Sequence, residues 1–107
     1  IYYYALDVRS EDLIPETFFL SQNYPNPFNP ITKIDYALSK ESHVDLVVYN
    51  ISGRQVKVLI NKVESPGFRT IEWNGLDQNG RNLGTGIYFY RLTVGDETHT
   101  RKMIYMK

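Results

Sequence analysis

Apolar and polar residues alternate along most of this chain, which is the pattern of a β-strand with one buried face. No segment repeats apolar residues at helical spacing over three turns. The alternating stretches, in chain order, are Thr32–Leu38, His43–Ile51, Gln55–Ile60, Phe68–Trp73, Ile87–Val94 and Thr98–Met106. The pattern therefore predicts an all-β protein.

Turn residues separate these stretches at short, regular intervals. Gly53 lies in the turn 50–54, Pro66-Gly67 forms another, and residues 74–86 hold two Asn-Gly pairs. Short strands with turns every 8–12 residues or so are typical of an immunoglobulin-like antiparallel β-sandwich of about seven strands. The core residues that we expect to be buried together are Ile34, Leu46, Val48, Trp73 and one face of Ile87–Val94.

The first 17 residues differ from the rest of the chain. Ile1–Val8 matches Ile87–Val94 at five of eight positions, which predicts the closing strand of a preceding β-domain. The alternatives are an extra strand of the same domain, or two unrelated strands that are alike only because the chain is rich in tyrosine. Residues 9–17 are acid-rich and contain Pro15, as in a linker. We therefore expect one domain over residues 18–107, with residues 1–17 forming the end of its predecessor and a linker.

Composition narrows the classes of function. The chain has 107 residues, 42% of them hydrophobic, which suits one compact domain. Its 12 basic and 12 acidic residues leave no net charge, so a nucleic-acid partner is not expected. No apolar run approaches the roughly 18–20 residues of a membrane span. The absence of cysteine excludes disulfides, thiolate catalysis and cysteine-ligated metals.

Residues with catalytic or metal-binding chemistry are scarce. Ser42, His43 and Asp45 are adjacent, but on a strand Ser42 points away from the other two, so we expect a surface strand and no catalytic site. His99 is likewise expected to lie on a surface strand. The run 77–82 lacks the glycine and glutamate spacing of a calcium loop and predicts a turn. We therefore expect no catalytic, metal or cofactor site.

One further motif and one further pattern concern the surface of the domain. Asn50-Ile51-Ser52 matches the N-glycosylation acceptor, although a tight turn explains the same residues. Tyr88 and Tyr90 alternate with Ile87 and Phe89, so one of these pairs faces outward. An exposed tyrosine row would be a platform for sugar stacking. The alternative function is therefore a carbohydrate-binding or adhesive accessory module of an extracellular protein.

The segment Asn23–Pro30, here called the proline box, is unlike the strands. Its prolines fix backbone angles and predict a stiff, polyproline-like segment with Tyr24 and Phe28 as aromatic anchors. We expect the Phe28 ring to dock on the sandwich and close one end of its core. The side chains of Asn26 and Asn29 are expected to bond nearby backbone groups.

These motifs together resemble the C-terminal type A sorting domain of the bacterial type IX secretion system. The resemblance covers about residues 18–107. The matching segments, in order, are Leu20–Ile34 with the proline box, Val44–Val56, Ile71–Gly75 with its Trp73, Gly80-Arg81, Gly84–Leu92, and the basic closing strand Arg101–Ile104 with terminal Lys107. A related immunoglobulin-like module occurs in flagellar hook-capping proteins.

The resemblance implies a non-catalytic address label on an exported protein of a Gram-negative bacterium. Its implied partners are the outer-membrane translocon, a sortase-type peptidase and the preceding domain of the same chain. The protein would be secreted or held on the outer surface after crossing the periplasm. The residues implied to form the sorting motif are Asn23, Tyr24, Pro25, Asn26, Pro27, Phe28, Asn29 and Pro30. A candidate recognition strand comprises Arg101, Lys102, Met103, Ile104 and Lys107.

Overall fold

The computed structural model describes residues 14–107. The predicted strand Ile1–Val8 and residues 9–13 of the predicted linker lie outside this range. The described part of the chain forms seven strands and no helix. They are β1 (Phe19–Leu20), β2 (Thr32–Leu38), β3 (Ser42–Tyr49), β4 (Gln55–Glu64), β5 (Gly67–Trp73), β6 (Gly86–Val94) and β7 (Glu97–Tyr105).

The strands form two antiparallel sheets. One sheet has the order β1-β2-β5 and the other the order β4-β3-β6-β7. This confirms the predicted immunoglobulin-like sandwich of about seven strands. It also makes β7, the last strand of the chain, an edge strand of the larger sheet.

The core lies between the sheets and follows the alternation of the sequence. Ile34, Leu46 and Val48 are fully buried and Trp73 is nearly so, as predicted. From β6 the buried face is the one that carries Tyr88, Tyr90 and Leu92. The Trp73 ring lies 5.9 Å from the Tyr88 ring and 6.4 Å from the Tyr105 ring, centroid to centroid, so these three rings form an aromatic cluster at one end of the core.

Two strands depart from the pattern prediction. The two-residue β1 was not predicted, because two residues carry no periodic signal. Strand β4 runs on to Glu64 because it pairs with β3 along its whole length. Register shifts between Leu46 and Val47 and between Val48 and Tyr49 interrupt that pairing, so alternation along β4 is imperfect.

The turn after β3 explains the glycosylation-like motif by local bonding. The Asn50 side-chain oxygen accepts hydrogen bonds from the backbone nitrogens of Ser52 and Arg54, at 3.1 and 3.0 Å. Gly53 has φ of +86°, a conformation that favours glycine. The turn therefore needs Asn and Gly at these positions whether or not a sugar is attached.

Candidate functional site

The proline box and the closing strand, which are far apart in sequence, form a single structure. The Phe28 nitrogen donates to the Ile104 carbonyl at 3.0 Å, and the Met106 nitrogen donates to the Phe28 carbonyl at 3.0 Å. These bonds lie on the edge of β7 that does not pair with β6. The box therefore continues the larger sheet by one short parallel bridge.

Side chains close the rest of this edge. The Asn26 side-chain oxygen accepts from the Ile104 nitrogen at 2.9 Å, and the Gln22 amide donates to the Lys102 carbonyl at 2.7 Å. The expected bond from Asn26 to nearby backbone is thus confirmed, with β7 as its partner. An edge strand covered in this way offers few free backbone groups between Lys102 and Met106. This half of β7 is therefore closed to edge-to-edge pairing with a strand of another protein.

The Phe28 ring is docked, as predicted. It is 1% exposed and stacks on Tyr105 with ring centroids 4.8 Å apart and planes 16° apart. The Trp73 ring lies 5.6 Å away on a tilt. Phe28 therefore closes the aromatic end of the core from outside the strands.

A buried asparagine at the start of the box, Asn23, was missed as a structural residue. It is 2% exposed, and its side-chain amide donates to the Thr32 hydroxyl at 2.9 Å and to the Pro25 carbonyl at 3.2 Å. Its backbone nitrogen donates to the Tyr90 hydroxyl at 2.8 Å. A buried amide needs such partners, and here they fix the path of the box.

The Tyr90 hydroxyl joins the box to the core of the larger sheet. It accepts the Asn23 bond and donates to the Ser21 carbonyl at 2.7 Å. Burial, opposed in part by the Asn23 hydrogen bond and by nearby Arg101, raises the pKa of Tyr90 to about 12. The hydroxyl therefore keeps its proton, and with it the hydrogen bond that it donates to the Ser21 carbonyl, throughout the neutral range.

Other details of the box prediction were wrong. Tyr24 is 48% exposed and is no anchor, because its backbone pairs with Lys33 and its hydroxyl lies 3.4 Å from Asp35 at the surface. Asn29 is exposed and makes no side-chain hydrogen bond to the described backbone. The box is bent and is not a polyproline helix. Its three X–Pro bonds, at Pro25, Pro27 and Pro30, are cis.

The closing strand divides its side chains between core and surface. Met103 is fully buried and Tyr105 nearly so, whereas Arg101, Lys102 and Lys107 are exposed. The Arg101 guanidinium donates to the Leu20 carbonyl at 2.7 Å, which ties β7 to β1. Among the predicted recognition residues, Met103 is therefore a core residue in the folded domain, and the basic side chains are accessible.

Gly75, in the segment that contains Trp73, is required by the same aromatic cluster. It has φ of +76°, and a Cβ at this position would lie 2.8 Å from the Tyr105 ring. The Trp73 indole nitrogen donates to the Leu76 carbonyl at 2.9 Å. This glycine therefore lets the chain turn directly against the ring that supports Phe28.

The candidates for catalysis are surface features. His43 and Asp45 share an exposed face at 3.5 Å, and the Ser42 hydroxyl donates to the Lys40 carbonyl, away from both. Asp77 accepts from the nitrogens of Asn79 and Arg81 and builds a turn, as expected. Within residues 14–107, no group of three or more His, Cys, Asp or Glu residues is arranged to hold a metal ion.

The tyrosine platform, which the sequence left open as an alternative, is not formed, because Tyr88 and Tyr90 face the core. Tyr88 is 7% exposed and its hydroxyl donates to the Gly84 carbonyl. His99 lies against Phe18 at the surface, with ring centroids 4.5 Å apart. In the described range, no helix is long and apolar enough to cross a membrane.

A family model described as a secretion system C-terminal sorting domain matches residues 22–106. Among curated proteins, none matches the sequence. The family match spans both the proline box and almost all of the closing strand.

Solved structures share the fold. Dimeric latent PorU from Porphyromonas gingivalis is 22% identical, with a TM-score of 0.68 over 84% of this chain and 9% of PorU. PorZ, an essential surface component of the type IX secretion system of the same organism, is 12% identical, with a TM-score of 0.54 over 86% of this chain and 12% of PorZ. FlgD from Xanthomonas campestris, described in connection with the hook capping that is essential for flagellar assembly, is 22% identical, with a TM-score of 0.57 over 81% of this chain and 65% of FlgD.

Proposed function

The chain belongs to the family of secretion system C-terminal sorting domains, and we propose that it directs an exported parent protein through the type IX outer-membrane translocon. The chain spans only 9% of the PorU chain that it resembles, so the parent protein would supply any further activity. We propose that residues 18–107 are the sorting unit and that residues 1–17 connect it to a preceding domain.

The hydrogen bonds that join the proline box to the closing strand support this proposal most strongly. Asn26 bonds to Ile104 across 78 residues, and the Phe28 backbone bonds to both sides of Tyr105. Two family motifs thereby meet on one edge of the fold. A rigid surface of this kind loses little conformational entropy when a receptor binds it.

The proposed recognition surface is the exposed part of this edge. It combines the prolines of the box with the accessible cations Lys102 and Lys107. Met103 and Phe28, which are buried, would support the surface from beneath. The proposed partners are the translocon and a sortase-type peptidase, and the proposed destination is the cell surface or the medium.

The family is one of sorting signals without catalysis, and the exposed His43–Asp45 pair gives no reason to assign an activity to this domain. Burial of Tyr88 and Tyr90 also argues against the sugar-binding alternative. The domain would therefore act through binding alone.

Export of the parent protein tests this proposal. Deleting residues 99–107 should leave the parent in the periplasm. Because this deletion also removes the core residues Met103 and Tyr105, a second variant is needed. The double substitution Lys102→Ala with Lys107→Ala leaves the core intact and should reduce export.

The matched control is Arg54→Ala with Lys62→Ala, which removes two exposed cations at the β4 edge of the larger sheet, opposite the β7 edge. This control should be exported like the wild type. Normal secretion of the truncated parent would contradict the sorting function. If both double variants were exported equally well, Lys102 and Lys107 would not belong to the recognition surface.

A further inference from the structure

The outer face of the larger sheet carries apolar side chains where a sandwich normally exposes polar ones. In β6, Tyr88 and Tyr90 point into the core, so Ile87 and Phe89 lie on the opposite face. Neither the core nor the proline box explains these two residues. The sequence singled them out because both faces of β6 are hydrophobic.

Strand register gathers more such residues beside them. Phe89 lies opposite Tyr49 of β3 and opposite Lys102 of β7, and Ile87 lies opposite Ile104. Arg91, two residues along β6, shares this face. We name the group the outer patch, and it consists of Tyr49, Ile87, Phe89, Arg91, Lys102 and Ile104.

The outer patch remains accessible from solvent. Its four apolar members are only partly buried, and nearby Ile51 is 73% exposed. The exposed aromatics of the smaller sheet differ, because Phe19 and Phe68 flank Ala37 and contribute to its complete burial. The outer patch has no comparable role within the described fold, and contiguous apolar surface of this kind marks interaction sites.

The charged side chains of the outer patch are both basic. Arg91 and Lys102 are its charged members, although the whole chain has equal numbers of acids and bases. The acid on the same face, Asp45, lies at the other end of β3 beside His43. A partner that carries carboxylates would complement this surface.

Arg91 is already positioned for such a partner. Its guanidinium lies 4.7 Å from the centre of the Tyr49 ring, and it donates a hydrogen bond to the Tyr49 hydroxyl. A guanidinium has five N–H donors, so several remain for a carboxylate. Stacking on the ring holds the group in place before binding, which lowers the entropy that binding costs.

We propose that the outer patch docks a protein surface on which apolar side chains are bordered by carboxylates. This inference rests on the proposed function, because it assigns the sorting domain a second contact with its export partners, centred on β3 and β6 and sharing only Lys102 with the surface proposed above. Aromatic residues and arginine are the residue types that contribute most at protein interfaces.

A binding experiment with the 107-residue chain tests the surface independently of export. The probe is a synthetic amphipathic helical peptide whose leucine face is bordered by glutamates. Backbone NMR shifts should change at Phe89, Arg91 and Lys102, and the affinity should fall as salt screens the charges. The variant Arg91→Glu, which reverses the charge of a patch residue outside β7, should bind at least about tenfold more weakly.

Three results would overturn the proposal. The first is that a matched peptide with lysines in place of the glutamates binds as tightly as the glutamate peptide. The second is that the peptide changes the NMR shifts around Phe19 and Phe68 and not those of the outer patch. The third is a concentration-dependent shift of the outer patch without peptide, since that would make a second copy of the chain the occupant.

Export of the parent protein gives a separate readout. The variant Arg91→Glu should be exported less than the wild type, while Lys40→Glu, at the opposite end of β3 from Tyr49, should be exported normally. Thermal melts should show all of these variants folded. Normal export of the patch variant would contradict the docking role of the outer patch. If the wild-type domain itself failed to direct export, the sorting function would be contradicted, and the peptide-binding experiment alone would then test the outer patch.

Discussion

Removing the Phe28 ring tests whether the proline box is part of the fold or only a signal displayed on it. The substitution Phe28→Ala keeps the backbone bonds to Ile104 and Met106 but deletes a ring that is 1% exposed. The ring would leave a cavity bordered by Tyr105, 4.8 Å away, and Trp73, 5.6 Å away.

The expected loss of stability follows from that burial. Phenylalanine-to-alanine changes in cores cost about 3–5 kcal/mol, which includes lost apolar burial and the cavity left behind. Phe28 lies at the end of the core, where water can enter and neighbours can relax. We therefore expect a loss of about 2–4 kcal/mol in the free energy of unfolding, a large share of the roughly 5–15 kcal/mol that stabilises a typical domain.

Thermal and urea unfolding of the isolated chain measure this loss. In a domain of this size, about 3 kcal/mol corresponds to a fall on the order of 12–24 °C in Tm. Tyr24→Ala is the matched control, because Tyr24 belongs to the same box but is 48% exposed. It should change the free energy of unfolding by only about 0.5 kcal/mol.

An unchanged melt for Phe28→Ala would refute this reasoning. If the same variant abolished export of its parent while melting like the wild type, the box would be a receptor contact and not a structural element. Equal destabilisation by Tyr24→Ala would also contradict the account, since it would show that the whole box responds to any change.

Three other substitutions test the packing around this site. Leu46→Ala, in the fully buried centre of β3, should cost about 2–5 kcal/mol in urea unfolding, and an unchanged midpoint would reject the strand register. Gly75→Ala should destabilise the domain by about 1–3 kcal/mol more than Gly80→Ala, because both glycines have positive φ but only the first meets the Tyr105 ring. Folding raises the pKa of Tyr90 to about 12, so protonated Tyr90 should contribute a constant amount to the free energy of unfolding below about pH 10. That contribution should be lost as the pH rises towards 12. The stability of the Tyr90→Phe variant should therefore decline less steeply with pH in this range than that of the wild type. If the stability of Tyr90→Phe declined as steeply as that of the wild type, ionisation of Tyr90 would not be the cause of the decline.

The alternation of apolar and polar residues in the sequence predicted the strands that have one buried face. Ile34, Leu46, Val48 and Trp73 obey it because each lies on a strand packed against the other sheet. Phe28 was also predictable, since a large apolar residue among prolines and asparagines has little reason to be there unless its ring is docked. These inferences need only the local sequence.

The contacts that build the site were not predictable in this way. Asn23 gives no periodic signal, and its burial depends on Thr32 and on the Tyr90 hydroxyl, 67 residues away. The pairing of the box with β7 likewise joins residues separated by 78 positions. Tyr24 was wrongly expected to be an anchor because its sequence context is like that of Phe28, whereas only the fold decides which ring faces the core.

Transplanting the domain tests the central claim most directly. The 107-residue chain would be fused to the C-terminus of a foreign periplasmic protein, in a bacterium with a working type IX system and in the same strain without its translocon. The account predicts that the fusion reaches the cell surface or the medium only when the translocon is present. A folded fusion that stays in the periplasm of the complete strain would contradict the account.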